Sequence, residues 1–267
     1  MSDTRPIGVF DSGLGGLTVV KALQKLLPSE SIVYFGDTAR VPYGNKSKEL
    51  IIEYSNEITN FLIKNDAKLI VVACNTASAL ALDTLKKNVS VPVLGVINPG
   101  AREATKATLN KHIGIIGTVA TVNSGAYENA ICDIDKSIII SAQACPLFVP
   151  LAEEGWLEGD VVEKIAAHYL TPLNEKEIDT LILGCTHYPL LKNVITNQVD
   201  EKTILIDSAE AVAREVHVQL SIFDLLNNSG QKGLLTCYVT DIPMRFETVG
   251  KRFLGSSLDN VQTVHEV

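Results

Sequence analysis

At 267 residues, 46% hydrophobic and 20% charged, the chain is long enough to bury one large core or two modest ones, with no Pro/Gly/Ser-rich linker dividing it. A net charge of −8 and a pI near 5.2, without any run of Lys or Arg, argue against a nucleic-acid partner. No apolar run reaches the ~18 residues of a membrane helix, and MSDTRPIGVF lacks the basic and apolar regions of a signal peptide, so a cytoplasmic protein with no membrane partner is predicted.

The first predicted strand, Ile7–Phe10, runs into Asp11, Ser12 and the turn GLGGL at 13–17. That turn is neither G-x-G-x-x-G nor G-x-x-x-x-G-K-[ST], so it reads as a tight bend letting backbone approach a ligand rather than as a phosphate loop. Asp11 has two readings, a turn residue ahead of the glycines and a partner for a catalytic group. A second strand, Ser31–Phe35, opens into the polar loop GDTARVPYGNKS at 36–47. Pro42 and Gly44 fix its shape, and Tyr43 with the Gly44 N–H is placed to bind a carboxylate; an ordinary connection is the alternative. Ser47 then caps a helix over 47–63 with apolar residues at i, i+3/4 and i+7. The third strand, Leu69–Ala73, stops at Cys74, Asn75 and Thr76, and a fourth covers Val93–Ile97.

A second set of strands occupies Ile113–Gly117, Ser137–Ala142, Thr180–Leu183 and Thr203–Ile206, with a helix over 161–170. Continuously apolar strands separated by helices predict an α/β protein with parallel sheets covered on both faces. The two sets resemble each other. IGVFDSGLGG at 7–16 is echoed by IGIIGTVATVNSG at 113–125, and LIVVACNTASAL at 69–80 by LILGCTHYPLL at 181–191. Gly8 and Gly114 are 106 residues apart, Cys74 and Cys185 111. A near-constant offset predicts duplication, giving two similar lobes related by a pseudo-two-fold. Ligands of such sheets bind beyond the carboxyl ends of the strands. The expected active site is therefore a cleft between the lobes with one cysteine on each side.

Asn75, Thr76 and Thr186 are good N-cap residues, and a thiol at a helix N-terminus is the more acidic for it. Two such thiols facing each other suit two-base inversion of a carbon acid: one thiolate removes a proton and the opposite thiol returns one on the other face. Taken singly, each cysteine reads as a small buried hydrophobe; the repeated setting favours function. Cys132, Cys145 and Cys237 lack that setting and are assigned to packing. His187 either tunes Cys185 or caps the next helix. Glu153 and Glu154 in LAEEGW are either solvated or, one of them, an assistant to a cysteine. C-x-H is not a zinc spacing, so no metal is expected.

FDSGLGGLTV (10–19), YFGDTARVPYG (34–44), ACNTASA (73–79), GVINPGA (95–101), IGTVATVNSGAY (116–127), ACPLFVPLAEEG (144–155) and GCTHYPLL (184–191) together resemble the glutamate racemase family, in family order and over nearly the whole chain. The resemblance implies cofactor-independent interconversion of L- and D-glutamate, supplying D-glutamate for peptidoglycan. Cys74 and Cys185 would transfer the protons, assisted by Asp11 and His187, with Asp37 and one of Glu153 or Glu154 as further acidic neighbours. Asp11, Ser12, Tyr43, Gly44, Asn75, Thr76, Thr186 and His187 would contact glutamate, and Thr118 and Thr121 would line the cleft. It also implies a homodimer and a C-terminal segment returning to the first lobe through LLTCYVT and VQTVHEV. Lobe 1 would then be 1–97 plus 211–267, and lobe 2 would be 98–210. Related aspartate and hydantoin racemases share the scaffold. A cysteine amidase, with Cys74 as nucleophile and His187 as base, and a non-catalytic glutamate sensor are the readings from other classes.

Overall fold

The computed structural model describes residues 2–264; His265, Glu266 and Val267, the end of the strand expected at VQTVHEV, lie outside the described residues. Among the described residues ten strands form: β1 Ile7–Asp11, β2 Ile32–Gly36, β3 Leu69–Val72, β4 Val93–Gly95, β5 His112–Gly117, β6 Ile139–Ala144, β7 Thr180–Gly184, β8 Ile204–Asp207, β9 Leu235–Val239 and β10 Val261–Thr263. The chain divides into two compact units, residues 1–96 with 209–267 and residues 97–208.

The first unit carries a six-stranded sheet in the order β10-β9-β2-β1-β3-β4, parallel throughout. β1 and β3 are buried along their whole length, which is why IGVFD and LIVV carry no polar alternation before Asp11. Helix Lys48–Lys64 starts where the sequence places it, the Ser47 hydroxyl accepting from Leu50 N at 3.4 Å, and lays Ile51, Ile58 and Leu62 into the core with Phe10, Ile70 and Val72. β4 ends at Gly95 rather than at Ile97, because Ile97 already belongs to helix Ile97–Ala107.

An ion pair closes the amino end of this unit. The Lys68 ammonium lies 2.6 Å from Glu30 Oε2, with side chains 0% and 3% exposed. It also donates to the carbonyls of Asp3 and Leu225, both at 2.7 Å, while Glu30 Oε1 accepts from Asn227 N at 2.7 Å. Residues 225–227 lie just ahead of β9, so one buried charge pair ties the returning segment to the first strands.

The second unit carries a four-stranded parallel sheet, β6-β5-β7-β8. Its order repeats β2-β1-β3-β4 strand for strand, as duplication predicts. The edge strands are the exception to coverage on both faces: Ile139 in β6 is 61% exposed and Ile204 in β8 44%. β6 also begins two residues later than expected. Asp135 holds Ser137 in a turn, its carboxylate accepting from Ser137 N (2.9 Å) and Oγ (2.6 Å), and this local bonding competes with the ladder. Among the described residues no helix is long and apolar enough to cross a membrane.

Candidate active site

In each sheet the chain leaves the first strand to one side and later returns to the other, so a topological switch falls between β1 and β3 and again between β5 and β7. The singled-out residues emerge at these switches.

In the first unit, Asp11 pairs in register with Gly36, and Gly36 with Val239. Ser12, Asp37, Cys74 and Thr240 therefore lie just past neighbouring strand ends. Cys74 is buried and is itself the N-cap of helix Asn75–Leu80, with extended backbone (φ −65°, ψ 121°). The expected cap residues Asn75 and Thr76 are instead buried in the first turn of that helix. Cys74 Sγ lies 3.8 Å from Ser12 Oγ. Asp11 is fully buried and accepts from Gly13 N at 3.0 Å, while the Tyr34 hydroxyl donates to the Gly13 carbonyl at 2.8 Å. A Cβ on Gly16 would stand 2.5 Å from Asp11 Cβ and 2.8 Å from the Tyr34 hydroxyl, which explains the glycine in this turn. Tyr34, not singled out from the sequence, thus braces the Asp11 turn from behind. Burial and the Asp11 charge raise its phenol well above the ordinary value, so it remains a neutral donor.

Asp37 is the hub of the polar loop. Its carboxylate accepts from Arg40 Nε (2.9 and 2.7 Å), from the Tyr43 hydroxyl (2.5 Å) and from Thr240 Oγ1 (3.1 Å). Arg40 reaches on to Glu57 at 2.5 Å and lies over the Tyr54 ring, 4.1 Å from its centroid. Burial opposes the guanidinium charge, but the bonds to Asp37 and Glu57 outweigh it and raise the Arg40 pKa. The Tyr43 phenol, raised by burial and by the Asp37 charge, stays protonated. Its hydroxyl is committed to Asp37, and Gly44 beside it is half-buried. The turn Tyr43–Asn45 packs against helix Asn75–Leu80, joining the loop to the Cys74 cluster.

In the second unit Gly117 and Gly184 are in register, and both strands end there. Thr118 caps helix Val119–Asn123, its hydroxyl accepting from Thr121 N at 3.1 Å and lying 2.9 Å from Thr121 Oγ1. Cys185 and Thr186 are buried after β7. Beyond them the chain enters a 3-10 turn, Tyr188–Leu191, rather than an α-helix, so Cys74 stands at a helix N-terminus and Cys185 does not. The partner of Cys185 is instead His187: Sγ and Nδ1 are 3.8 Å apart, and Nε2 lies 3.0 Å from Glu153 Oε1. Nδ1 is also 3.5 Å from Thr186 Oγ1. Burial disfavours the imidazolium, yet its bonds to Cys185 and to Glu153 prevail and push the His187 pKa up to about 10. Helix Phe148–Glu154 turns Glu153 toward the ring and leaves Glu154 exposed.

Burial raises the thiols of Cys145 and Cys237, the latter to about 12, in keeping with packing. Cys132 is exposed at the end of helix Ala126–Cys132 and does not pack in a core. Among the described residues no group of three or more His, Cys, Asp and Glu side chains is placed to hold a metal ion. Thr240 also joins the cluster; it carries no signal in the sequence, because its partners are about 200 residues away.

Residues 14–216 match the family model for Asp/Glu/Hydantoin racemase. The chain is 52% identical over 260 residues to a glutamate racemase of Geobacter metallireducens, covering 97% of this chain and 96% of that protein. It superposes on a glutamate racemase of Bacillus anthracis with a TM-score of 0.95 at 40% identity, covering 98% of each chain. With the Francisella tularensis subsp. tularensis glutamate racemase solved in complex with D-glutamate the TM-score is 0.92 at 42% identity, again over 98% of each chain. The chain therefore belongs to the Asp/Glu/Hydantoin racemase family, on its glutamate racemase branch.

Proposed function

We propose that this chain interconverts L- and D-glutamate by two-base proton transfer, with Cys74 and Cys185 as the bases. The observation that carries the reading is that a buried cysteine stands after the third strand of both repeats, each with its own polar partner, Ser12 on one and His187–Glu153 on the other. In one direction one cysteine's thiolate takes the α-proton and becomes a thiol, while the other cysteine's thiol protonates the carbanion and becomes the thiolate. The charge thus changes sides in every turnover, and each cysteine must exchange a proton with solvent before the same direction runs again. From Cys185, His187 and partly exposed Glu153 offer a chain of exchangeable groups outward. Asp11 and Asp37 act by holding the turn and the loop. Asn75, Thr76, Thr186 and the backbone of Tyr43 and Gly44 supply neutral donors for the carboxylates, leaving neither thiol over-stabilised as an anion. The reading carries with it a cytoplasmic homodimer making D-glutamate for peptidoglycan, without a cofactor.

The test is L-glutamate with the purified protein in D2O, monitored by polarimetry and proton NMR. Rotation is expected to vanish, and deuterium to enter the D-enantiomer at early times while unconverted L-glutamate keeps its α-proton. That pattern is the signature of two monoprotic bases. Cys74→Ser and Cys185→Ser should each lower kcat/KM by about 10²–10⁴-fold. The two enantiomers have equal free energy, so kcat/KM must fall equally in both directions; any asymmetry is confined to kcat and KM separately. Rotation and α-proton both persisting would sink the proposal.

A further inference from the structure

The loop at 37–47 is held from outside the region that matches the family model. Thr240, just past β9, donates from Oγ1 to Asp37 Oδ1 at 3.1 Å and accepts at the same oxygen from Ala39 N at 2.8 Å. Beside it, Thr38 Oγ1 donates to the Asp241 carbonyl at 2.7 Å and accepts from Asp241 N at 2.8 Å. Two hydroxyls, each bonded to a partner 203 positions away in sequence, thus stitch the start of the loop to the returning segment with four hydrogen bonds. Asp37 passes this restraint to the Tyr43 hydroxyl at 2.5 Å, and the Tyr43–Asn45 turn packs on the helix that Cys74 caps. Phe246, from the same returning segment, packs against Tyr34 with ring centroids 6.0 Å apart, bracing the hydroxyl that bonds the Gly13 carbonyl.

We infer that Thr240 is a positioning residue of the reaction, through which the C-terminal segment latches the substrate loop against the Cys74 cluster. This rests on the reading of that cluster as half of the racemase site. A threonine suits the place because one hydroxyl donates to a carboxylate and accepts from an amide together; valine has the same shape and can do neither. Loss of the latch frees a loop that holds the ground state and the transition state alike, so the effect belongs in KM more than in kcat.

Thr240→Val, Thr240→Ser and, as an independent arm, Thr38→Val should be compared with wild type in kcat and KM for L-glutamate, thermal midpoint, and tryptic cleavage of the folded protein after Arg40 and Lys46. Thr240→Val is expected to raise KM by about tenfold, the worth of one hydrogen bond to a charged group, and Thr38→Val, which loses bonds to neutral backbone groups, by roughly threefold, with kcat little changed in either. Cleavage after Arg40 and Lys46 should accelerate, and Thr240→Ser should restore both values. Wild-type KM in both valine variants overturns the inference, as does faster cleavage without any change in KM. The cleavage assay needs no substrate. If the wild-type protein fails to racemise glutamate, the reaction is refuted on its own, and unchanged cleavage in both valine variants then overturns the latch separately.

Discussion

His187 sits where burial alone would strip its proton, yet the groups against its two nitrogens hold the proton on. Its pKa is raised from 6.5 to about 10, so the folded chain binds this proton more tightly than the unfolded one. The resulting stabilisation is complete below about pH 6.5 and is lost as the pH rises through about 10. Urea unfolding of wild type and His187→Asn should show the larger gap at pH 6 and a narrowing one toward pH 10. A gap that does not change with pH would mean the ring stabilises by packing and not by charge. The sequence singled out His187 and Cys185 because they are two residues apart at a strand end. It left Glu153 and Glu154 undecided, because the choice depends on the phase of a seven-residue helix that ends at left-handed Gly155 (φ 80°). Tyr34 and Thr240 are illegible in the sequence for another reason: each acts through a hydroxyl aimed at a distant segment, and neither pairing leaves a local pattern.

The elements that carry the site were the most legible part of the chain. Each cysteine lies just beyond an apolar run, and the strand ends fall within one residue of where the apolar runs stop, except at β4, which ends two residues early where a helix begins, and at β6, which an Asp135 turn shifts by two residues. Less legible is why Gly184 precedes Cys185 when Ala73 precedes Cys74. A Cβ on Gly184 would stand 2.6 Å from the Ile116 carbonyl oxygen and 3.1 Å from Tyr127 Cε2. The nearest of these is backbone of the adjacent strand, which cannot swing aside. Gly184→Ala should therefore cost about 1–3 kcal/mol by overpacking. It should also displace Cys185, the next residue, so that kcat/KM falls by more than the stability loss accounts for. Thermal melts alongside kinetics would check this; wild-type values in both would show that β5 and β7 can separate locally without consequence.

At the scale of the whole molecule, the repeat was visible as two sets of motifs in the same order, and both sheets carry the corresponding strand order. The return of the C-terminal segment to the first sheet was implied only by resemblance, since LLTCYVT could pair with either sheet on pattern alone. The structure supplies a physical reason for the choice. Lys68, which in AKLIVV reads as an ordinary charged residue before a strand, is fully buried and shared between Glu30, Asp3 and Leu225. A buried ammonium is tolerable only with its partners in place, so any arrangement that moved residues 225–227 elsewhere would leave this charge under-coordinated. Lys68→Met keeps the bulk and removes the charge, stranding Glu30 in the interior. It should cost about 3–5 kcal/mol and loosen the returning segment. Lys68→Met with Glu30→Gln should recover part of that loss, because the neutral amide no longer needs a counter-ion. Urea unfolding of the single and double variants decides the point. A single variant within about 1 kcal/mol of wild type, the range of an exposed pair, would show that apolar packing of β9 against β2, and not the buried charge, seats the C-terminal segment.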